Sequence, residues 1–594
     1  YGLIEFLAHT LVSAIRPPNP PNLPAAVPQL PGTGDPLSAR ETAAGEAANN
    51  DSVANIILSL RAISEQNWSD FFESVSCLER TLRGDPAGIY PQMDFKTRDL
   101  YRKEVEALSF ASGRDECELA EITLNLARPT VSDRPAVLQE GAATDSTAVM
   151  GTPPGADGRA SFLDDPVLTR HVAHVGEYLL GKGRAALEQR IGYQPDVKTA
   201  LKRWGFLHAS AFYLSSILLL TILILMSLSL AARLPEILRV VPLSFGNSPW
   251  DAARYTGGIP VQWIAVFLLA SALLIPVLTV ATSLVNWLIT LMIQPRILPK
   301  LDFKDELPDP FQTLVVIPAL ITSREEIDSL AHQLELHYLR NPEPGLLFAL
   351  LTDFRDADSE SLPEDEGLVQ YAIAAIETLN TQYECPSPGN EPGGVPGDGQ
   401  VEGARQDGAK LFYFLHRKRL WNPSEGRWLG WERKRGKLHE LNLLLRGGIN
   451  LSFITLTGDM SARRGALQRV RFVITLDTDT ILPRGAACRL AGTLAHPLNR
   501  AAFDDTTGQV VSGYTVLQPR MEIHPKSANH SWFTRFFAGD AGLDLYTLAV
   551  SDAYQDLFGE GSYVGKGIYD VDAFERSVDK RIPENTVLSH DLLE

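Results

Sequence analysis

The chain has 594 residues and a formal net charge of −18, with a pI near 5.2. At roughly 150 residues per domain the length implies several units, and the acidic balance argues against a nucleic-acid surface, which needs a basic field. Cys77, Cys117, Cys385 and Cys488 lie far apart with no CxxC, so neither a zinc site nor a disulfide framework is indicated and a reducing compartment fits the soluble parts.

Residues 1–200 read as a polar, mostly helical region interrupted by linkers. Pro17 to Pro36 is proline-rich, and Arg128 to Ala160 mixes Pro, Gly, Asp and Thr with little apolar periodicity. Between them Val53 to Leu82 repeats apolar residues at helical spacing, among them Ile56, Ile57, Leu60 and Ile63. A packed accessory helix bundle is the reading there. No initiator Met stands at Tyr1, no secretory signal peptide is visible, and the final LSHDLLE stops inside what reads as a motif, so a piece of a longer polypeptide is expected.

Residues 201–300 form a membrane region. The run from Phe206 to Ala232 has no formally charged side chain and exceeds the roughly 20 residues that cross a bilayer core. A second uncharged run lies between Arg254 and Arg296, densest from Val261 to Ile293. Both are expected to be transmembrane helices, about 206–232 and 261–293, with Pro276 as a kink and Trp263 and Trp287 as interface anchors. Lys198, Lys202 and Arg203 precede the first; Arg296, Lys300 and Lys304 follow the second; Arg233, Arg239 and Arg254 lie between. That modest bias favours both soluble parts in the cytoplasm.

From residue 301 to 594 the pattern is α/β. Thr313 to Leu320 is a continuous apolar run of the kind that fills a buried parallel strand, and a helical stretch follows from Arg324 to Arg340. LLFALLTDF, ending beside Asp353, Lys410 to Arg417 and RFVITLDTD from Arg471 are three further strands. Strands alternating with helices, with acids at strand C-termini, describe an open doubly wound sheet that binds nucleotide at its carboxyl edge. Pro386 to Gly408, rich in Gly and Pro, reads as a surface insertion.

Five segments of this domain carry chemistry. Asp477 and Asp479, one residue apart after an apolar run, suit Mg²⁺ or Mn²⁺ bridging protein carboxylates to a diphosphate, although most DxD triplets are solvated loops. Asp353 either accepts hydrogen bonds from a nucleoside or caps a helix. In WERKRGKLHELN, Arg433, Lys434, Arg435 and Lys437 surround Gly436, a basic turn before a helix that suits a diphosphate and is equally a solvated charge run. GEGSYVGKG packs four glycines into nine residues, Gly559, Gly561, Gly565 and Gly567, as a ligand-approach segment or a plain loop; it is not a dinucleotide fingerprint. Last, Asp591 beside His590 is either a cap or surface pair or the candidate base for inverting glycosyl transfer, in which a carboxylate takes the acceptor hydroxyl's proton.

Several long strings then agree in order. WERKRGKLHELN, ITLDTDT, AHPLNR (Ala495 to Arg500), VLQPR (Val516 to Arg520), VSDAYQDLFGEGSYVGKGIYDVDAF (Val550 to Phe574) and PENTVLSHDLLE (Pro583 to Glu594) closely resemble the glycosyltransferase module of cyclic β-1,2-glucan synthases, over roughly residues 200–594. The resemblance implies a GT-A-type domain behind two transmembrane helices, in a multi-pass inner-membrane enzyme of Gram-negative bacteria with its catalytic domain cytoplasmic. It implies UDP-glucose as donor, Mg²⁺ or Mn²⁺ as cofactor, and a growing, protein-primed glucan as acceptor, cyclised for the periplasm. By motif it assigns nucleotide-sugar binding to Asp353, Arg435, Lys437 and Asp477, metal to Asp477 and Asp479, acceptor lining to Gly559, Gly561, Gly565 and Lys566, and the catalytic base to Asp591. Departures are the later membrane helices and a C-terminal phosphorylase-like module, expected beyond Glu594, and a longer connection at Pro386 to Gly408. A linear β-glucan or other processive β-glycan synthase is the rival enzyme; a non-catalytic membrane scaffold or nucleotide-sugar sensor is the rival of another class.

Overall fold

A computed structural model describes Ser59, Arg61 and residues 68–128, 173–231, 255–256, 259–292, 296–304, 306–383, 410–448, 451–456, 466–504, 506–519, 524–537, 553–559, 561, 563, 565–578 and 581–584. The expected linkers Pro17 to Pro36 and Pro386 to Gly408, all of Arg128 to Ala160 but Arg128 itself, and Ile56, Ile57, Leu60 and Ile63 of the first helical repeat lie outside these residues. Two compact units divide the chain, Tyr1–Val75 and Ser76–Glu594. The first holds helix α1, Trp68–Val75.

The second unit begins with α2, Cys77–Leu82, whose Ser76 cap accepts from the Glu79 amide. Helices α3 (Phe95–Ser112, capped by Asp94 and ended by left-handed Gly113) and α4 (Glu116–Ala127, capped by Asp115) follow. Then come α5 (Val175–Leu179) and α6 (Arg184–Ile191). Each N-cap carboxylate or hydroxyl satisfies amides that the helix itself leaves unbonded. Leu82, Tyr101, Val105, Leu119, Val175 and Leu187 are fully buried and belong to the same apolar cluster as the sheet described below. The helices are stitched to the rest of the unit by a Met93–Leu301 bridge, by the Asp302 amide donating to the Gln92 carbonyl (2.8 Å) and by the Lys300 amide donating to Thr97 Oγ1 (3.1 Å). A buried polar chain crosses the same junction. Asp85 Oδ2 lies 2.8 Å from His174 Nδ1, Tyr101 Oη 3.0 Å from His174 Nε2, and Tyr101 Oη 3.5 Å from His496 Nε2.

After α7 (Val197–Leu207) come α8 (Ala209–Ala231) and α9 (Val261–Met292), the two apolar helices the sequence leads one to expect. Ala209–Leu228 has a mean hydropathy of 2.3 and Ser271–Ile289 of 2.0, and both are long and apolar enough to cross a membrane. The Tyr213 hydroxyl on α8 donates to Asn286 Oδ1 on α9 at 2.9 Å, so a polar pair joins the helices. Pro276 lies inside α9.

The residues after α9 build a mixed seven-stranded sheet. Its strands are β1 (Thr313–Ile321), β2 (Leu346–Phe354), β3 (Phe412–Arg417), β4 (Phe453–Leu456), β5 (Phe472–Thr475), β6 (Val516–Leu517) and β7 (Gly567–Asp570). The order is β6-β7-β5-β1-β2-β3-β4; β5, β1, β2 and β3 run parallel, and β4, β6 and β7 pair antiparallel at the flanks. The chain steps from β1 to β2 to β3 in one direction and then returns to place β5 on the other side of β1. The crevice between the carboxyl ends of β1 and β5 is therefore the topological switch point, where open α/β sheets bind ligands. Helices α10 (Arg324–Arg340) and α11 (Asp365–Gln382) bury Leu330, Leu334, Val369 and Ile376 in one core cluster, while α12 (Arg433–Leu445) buries Leu438 and Leu441 in the other. Helix α13 (Ala486–Ala495) follows β5, and short α14 (Pro525–Ala528), α15 (Trp532–Phe537), α16 (Ala553–Phe558) and α17 (Val571–Val578) complete the unit.

Candidate active site

Three strand ends and one helix start build the site. Along β2 all nine residues are buried, which carries Asp353 to the carboxyl edge still 98% inaccessible, at 2% exposure. Parallel register sets it opposite Leu320 of β1 and Arg417 of β3. The Arg417 guanidinium, fully buried, grips Asp353 with two bonds, Nε to Oδ1 at 2.8 Å and Nη2 to Oδ2 at 2.9 Å, and reaches Glu440 with Nη1 at 2.8 Å. Lys437 Nζ stands 3.2 Å from Asp353 Oδ2 and donates to the Ala319 carbonyl on β1 at 2.7 Å. Two cations thus face two carboxylates in a buried cluster, the arrangement that makes buried charge tolerable. Burial pushes the Asp353 carboxyl up, but Lys437 and Arg417 together outweigh it and hold the group below its ordinary value. Burial also lowers Lys437, against the pull of Asp353.

The backbone ahead of α12 is unusual. Glu432 and Arg433 both have left-handed φ, 51° and 48°, a conformation that costs a non-glycine residue about 1–2 kcal/mol and that clusters at functional sites. A side chain at Gly436 would meet the Trp431 carbonyl at 2.0 Å, and one at Gly430 would meet Asp353 Oδ2 at 2.5 Å, so both glycines allow the turn to lie against the strand ends. Arg417 Nη2 also donates to the Arg433 carbonyl (3.1 Å), pinning this turn. Lys434 and Lys437, three residues apart, share a helix face. Lys437 points to Asp353, and Lys434 Nζ reaches Asp477 Oδ1 at 2.8 Å.

Asp477 and Asp479 lie beyond β5, which ends at Thr475, and the turn is closed by the Thr480 amide bonding the Asp477 carbonyl at 3.0 Å. The expected strand is therefore shorter, and the two acids sit in a turn. Register brings the glycine-rich segment here: Gly567 of β7 pairs with Thr475, so Lys566 stands beside the acidic turn. Lys566 Nζ lies 3.0 Å from Asp477 Oδ2 and 3.7 Å from Asp479 Oδ1. Thr475 Oγ1 donates to the Gly565 carbonyl at 3.2 Å, fastening the segment to the strand, and Gly565 takes φ +76°. Burial raises Asp477, but hydrogen bonds from Lys434 and Lys566 hold it below its ordinary value.

The structure thus brings together Asp353 with Lys437, and Asp477, Asp479, Gly565 and Lys566 with Lys434. Arg435 pairs with Glu432 at 2.6 Å. Gly559 follows α16 with φ +73°, and Gly561 is packed against Gln555. Asp591 lies outside the described residues. A cavity of about 860 Å³ has Asp479 and Lys566 in its wall, together with Ile474, Leu482, Arg489 and His524.

No family model matches the chain. The cyclic β-(1,2)-glucan synthase NdvB of Rhizobium meliloti (strain 1021) is 38% identical to it over 550 residues, which is 92% of this chain and 16% of that protein. The chain is homologous to a segment of a cyclic β-(1,2)-glucan synthase. The likeness carried by the motif strings therefore extends to almost the whole chain, the region before the apolar helices included.

A metal fits the acidic turn in one respect and only in part. Its two carboxylates already share a cation, the Lys566 ammonium, which is the chemistry a divalent ion would find. Among the described residues no group of three or more His, Cys, Asp or Glu side chains could hold a metal, so the acidic pair by itself is not a complete coordination shell. Sequence reasoning passed over Arg417 and Glu440. The only signal was the polar HR pair closing the apolar strand Phe412–Arg417.

Proposed function

We propose that the chain is the glycosyltransferase module of a cyclic β-1,2-glucan synthase, a membrane-bound, GT-A-type inverting transferase that moves glucose from UDP-glucose to a growing glucan. The observation that carries this reading is the Lys434–Asp477–Lys566 cluster at the switch point of the sheet, in a chain homologous to a glucan synthase. Lys434 and Lys566 offer ammonium donors to the diphosphate. Asp477 and Asp479 would hold Mg²⁺ or Mn²⁺, whose charge stabilises the departing diphosphate. Asp353, with both oxygens engaged, acts on the nucleotide through the position it gives Lys437, Arg417 and the first turn of α12; Arg435 belongs to the same turn. In this reading Gly559, Gly561 and Gly565 line the acceptor side, Lys566 stands between that side and the diphosphate, and Asp591 takes the acceptor proton. The bilayer would be the bacterial inner membrane, crossed by α8 and α9, with the catalytic domain cytoplasmic. The acceptor would be protein-primed and a phosphorylase-like module of the same polypeptide would trim the product.

The experiment uses purified full-length protein with radiolabelled UDP-glucose and Mg²⁺ or Mn²⁺, followed by linkage analysis. A 1,2-linked glucan is expected, and Asp591→Asn should abolish transfer while leaving UDP affinity within about twofold. Another linkage would assign the chain to a different processive synthase, and absence of transfer from a protein that still binds UDP would assign it to the sensor class.

A further inference from the structure

We infer that Lys566 is a built-in counter-ion that occupies the acidic turn in place of a divalent metal and yields it only when a diphosphate arrives. The inference rests on the donor-site reading above. Lys566 Nζ lies between Asp477 and Asp479, at 3.0 and 3.7 Å, the bridging position expected of a cation shared by the pair. Lys434 approaches Asp477 from α12 at 2.8 Å. The two carboxylates are thus already balanced by two ammonium groups. A divalent ion entering alone would meet like charge and leave the turn with a positive excess. A nucleotide sugar entering with the metal carries about one negative charge on each phosphate, and free UDP about three in all, so either offsets that excess and gives the displaced ammonium a new partner.

The two lysines are not equivalent. Lys434 is fixed on a helix, is the more buried of the two, and also bonds the Gly565 carbonyl at 3.4 Å. Lys566 follows left-handed Gly565 and precedes Gly567, and its ammonium sits on a flexible four-carbon stem in the wall of the cavity. Asp479, its second partner, is 83% exposed at the side chain, so that contact is cheap to break. Lys566 is therefore the group that swings from carboxylates to diphosphate, and metal and nucleotide bind as a coupled pair.

The test is Mn²⁺ binding, followed by electron paramagnetic resonance on purified full-length protein in nanodiscs, with and without saturating UDP. Wild type should bind Mn²⁺ at least about tenfold more tightly with UDP than without, a usual size for coupling between sites. Lys566→Gln should bind Mn²⁺ alone about tenfold more tightly than wild type and show correspondingly weaker UDP dependence. Lys566→Met should do the same, and Lys566→Arg should keep the wild-type pattern. A lysine that merely supports the fold would not strengthen metal binding when removed. If wild type shows UDP-dependent Mn²⁺ binding but neither neutral variant binds Mn²⁺ more tightly alone, the counter-ion role is wrong and the donor site stands. If wild type binds no Mn²⁺ even with UDP, the metal reading falls and takes this inference with it.

Discussion

Replacing Arg417 by methionine tests whether the buried charge cluster holds the site in shape. Methionine replaces the aliphatic stem but removes two bonds to Asp353 at 2.8 and 2.9 Å, one to Glu440 at 2.8 Å and one to the Arg433 carbonyl at 3.1 Å. Asp353 keeps Lys437, and Glu440 keeps the Ser452 amide at 2.8 Å, but one buried negative charge is left without a cation. Breaking such a buried network costs about 3–5 kcal/mol. At roughly 2–4 °C per kcal/mol for a domain of this size the melting temperature should fall by about 6–20 °C. The assay is thermal unfolding of the purified protein followed by tryptophan fluorescence, with UDP affinity measured in parallel, because loss of the Arg433 contact also frees the turn that carries Lys434. Adding Glu440→Gln neutralises the stranded carboxylate, so the double variant should be more stable than the sum of the two single losses by at least about 1 kcal/mol. A melting point within about 2 °C of wild type, or strict additivity, would refute the reasoning.

Acid should destabilise the unit well above the carboxylate range. Burial lowers the imidazole of His337 to about 4 and that of His416 to about 3, whereas both titrate near 6.5 in an unfolded chain. The unfolded state therefore binds more protons below that value, so stability is fully present above about pH 6.5 and is lost as pH falls toward the folded-state values. Between pH 7 and 5 the two together should remove about 3–4 kcal/mol, measured by urea unfolding at each pH, and His416→Phe should cancel roughly half of that pH dependence. Gly436→Ala places a carbon 2.0 Å from the Trp431 carbonyl; it should lower UDP affinity by tenfold or more as the first turn of α12 shifts, and unchanged binding in a calorimetric titration would contradict the packing argument.

The parallel core was legible because its strands are buried on both faces. Thr313–Ile321 and Leu346–Phe354 read as unbroken apolar runs, and the helix Arg324–Arg340 starts at a Ser323 cap and runs as expected. The antiparallel flanks left little trace, since β4, β6 and β7 have four residues or fewer and β7 hides behind a glycine-rich stretch. The extent of β5 was misjudged because alternation continues through Asp477 and Asp479, whereas pairing stops when the Leu476 amide has bonded the Val316 carbonyl at 3.0 Å. Asp353 could be placed at its strand end from its position alone. That it would be sealed by Arg417, whose sequence separation is 64 residues, could not, because an arginine closing a strand looks the same whether it faces solvent or turns inward.

The core shared by the helices before residue 200 and the sheet after residue 300 has a consequence for how this chain threads a bilayer. Tyr101 and His496 touch across 395 residues of sequence, with α8 and α9 between them. Two segments that share one hydrophobic interior occupy one side of a membrane. If α8 and α9 span it, they do so as a hairpin, out and back, and the loop between them is all that this part of the chain exposes on the far side.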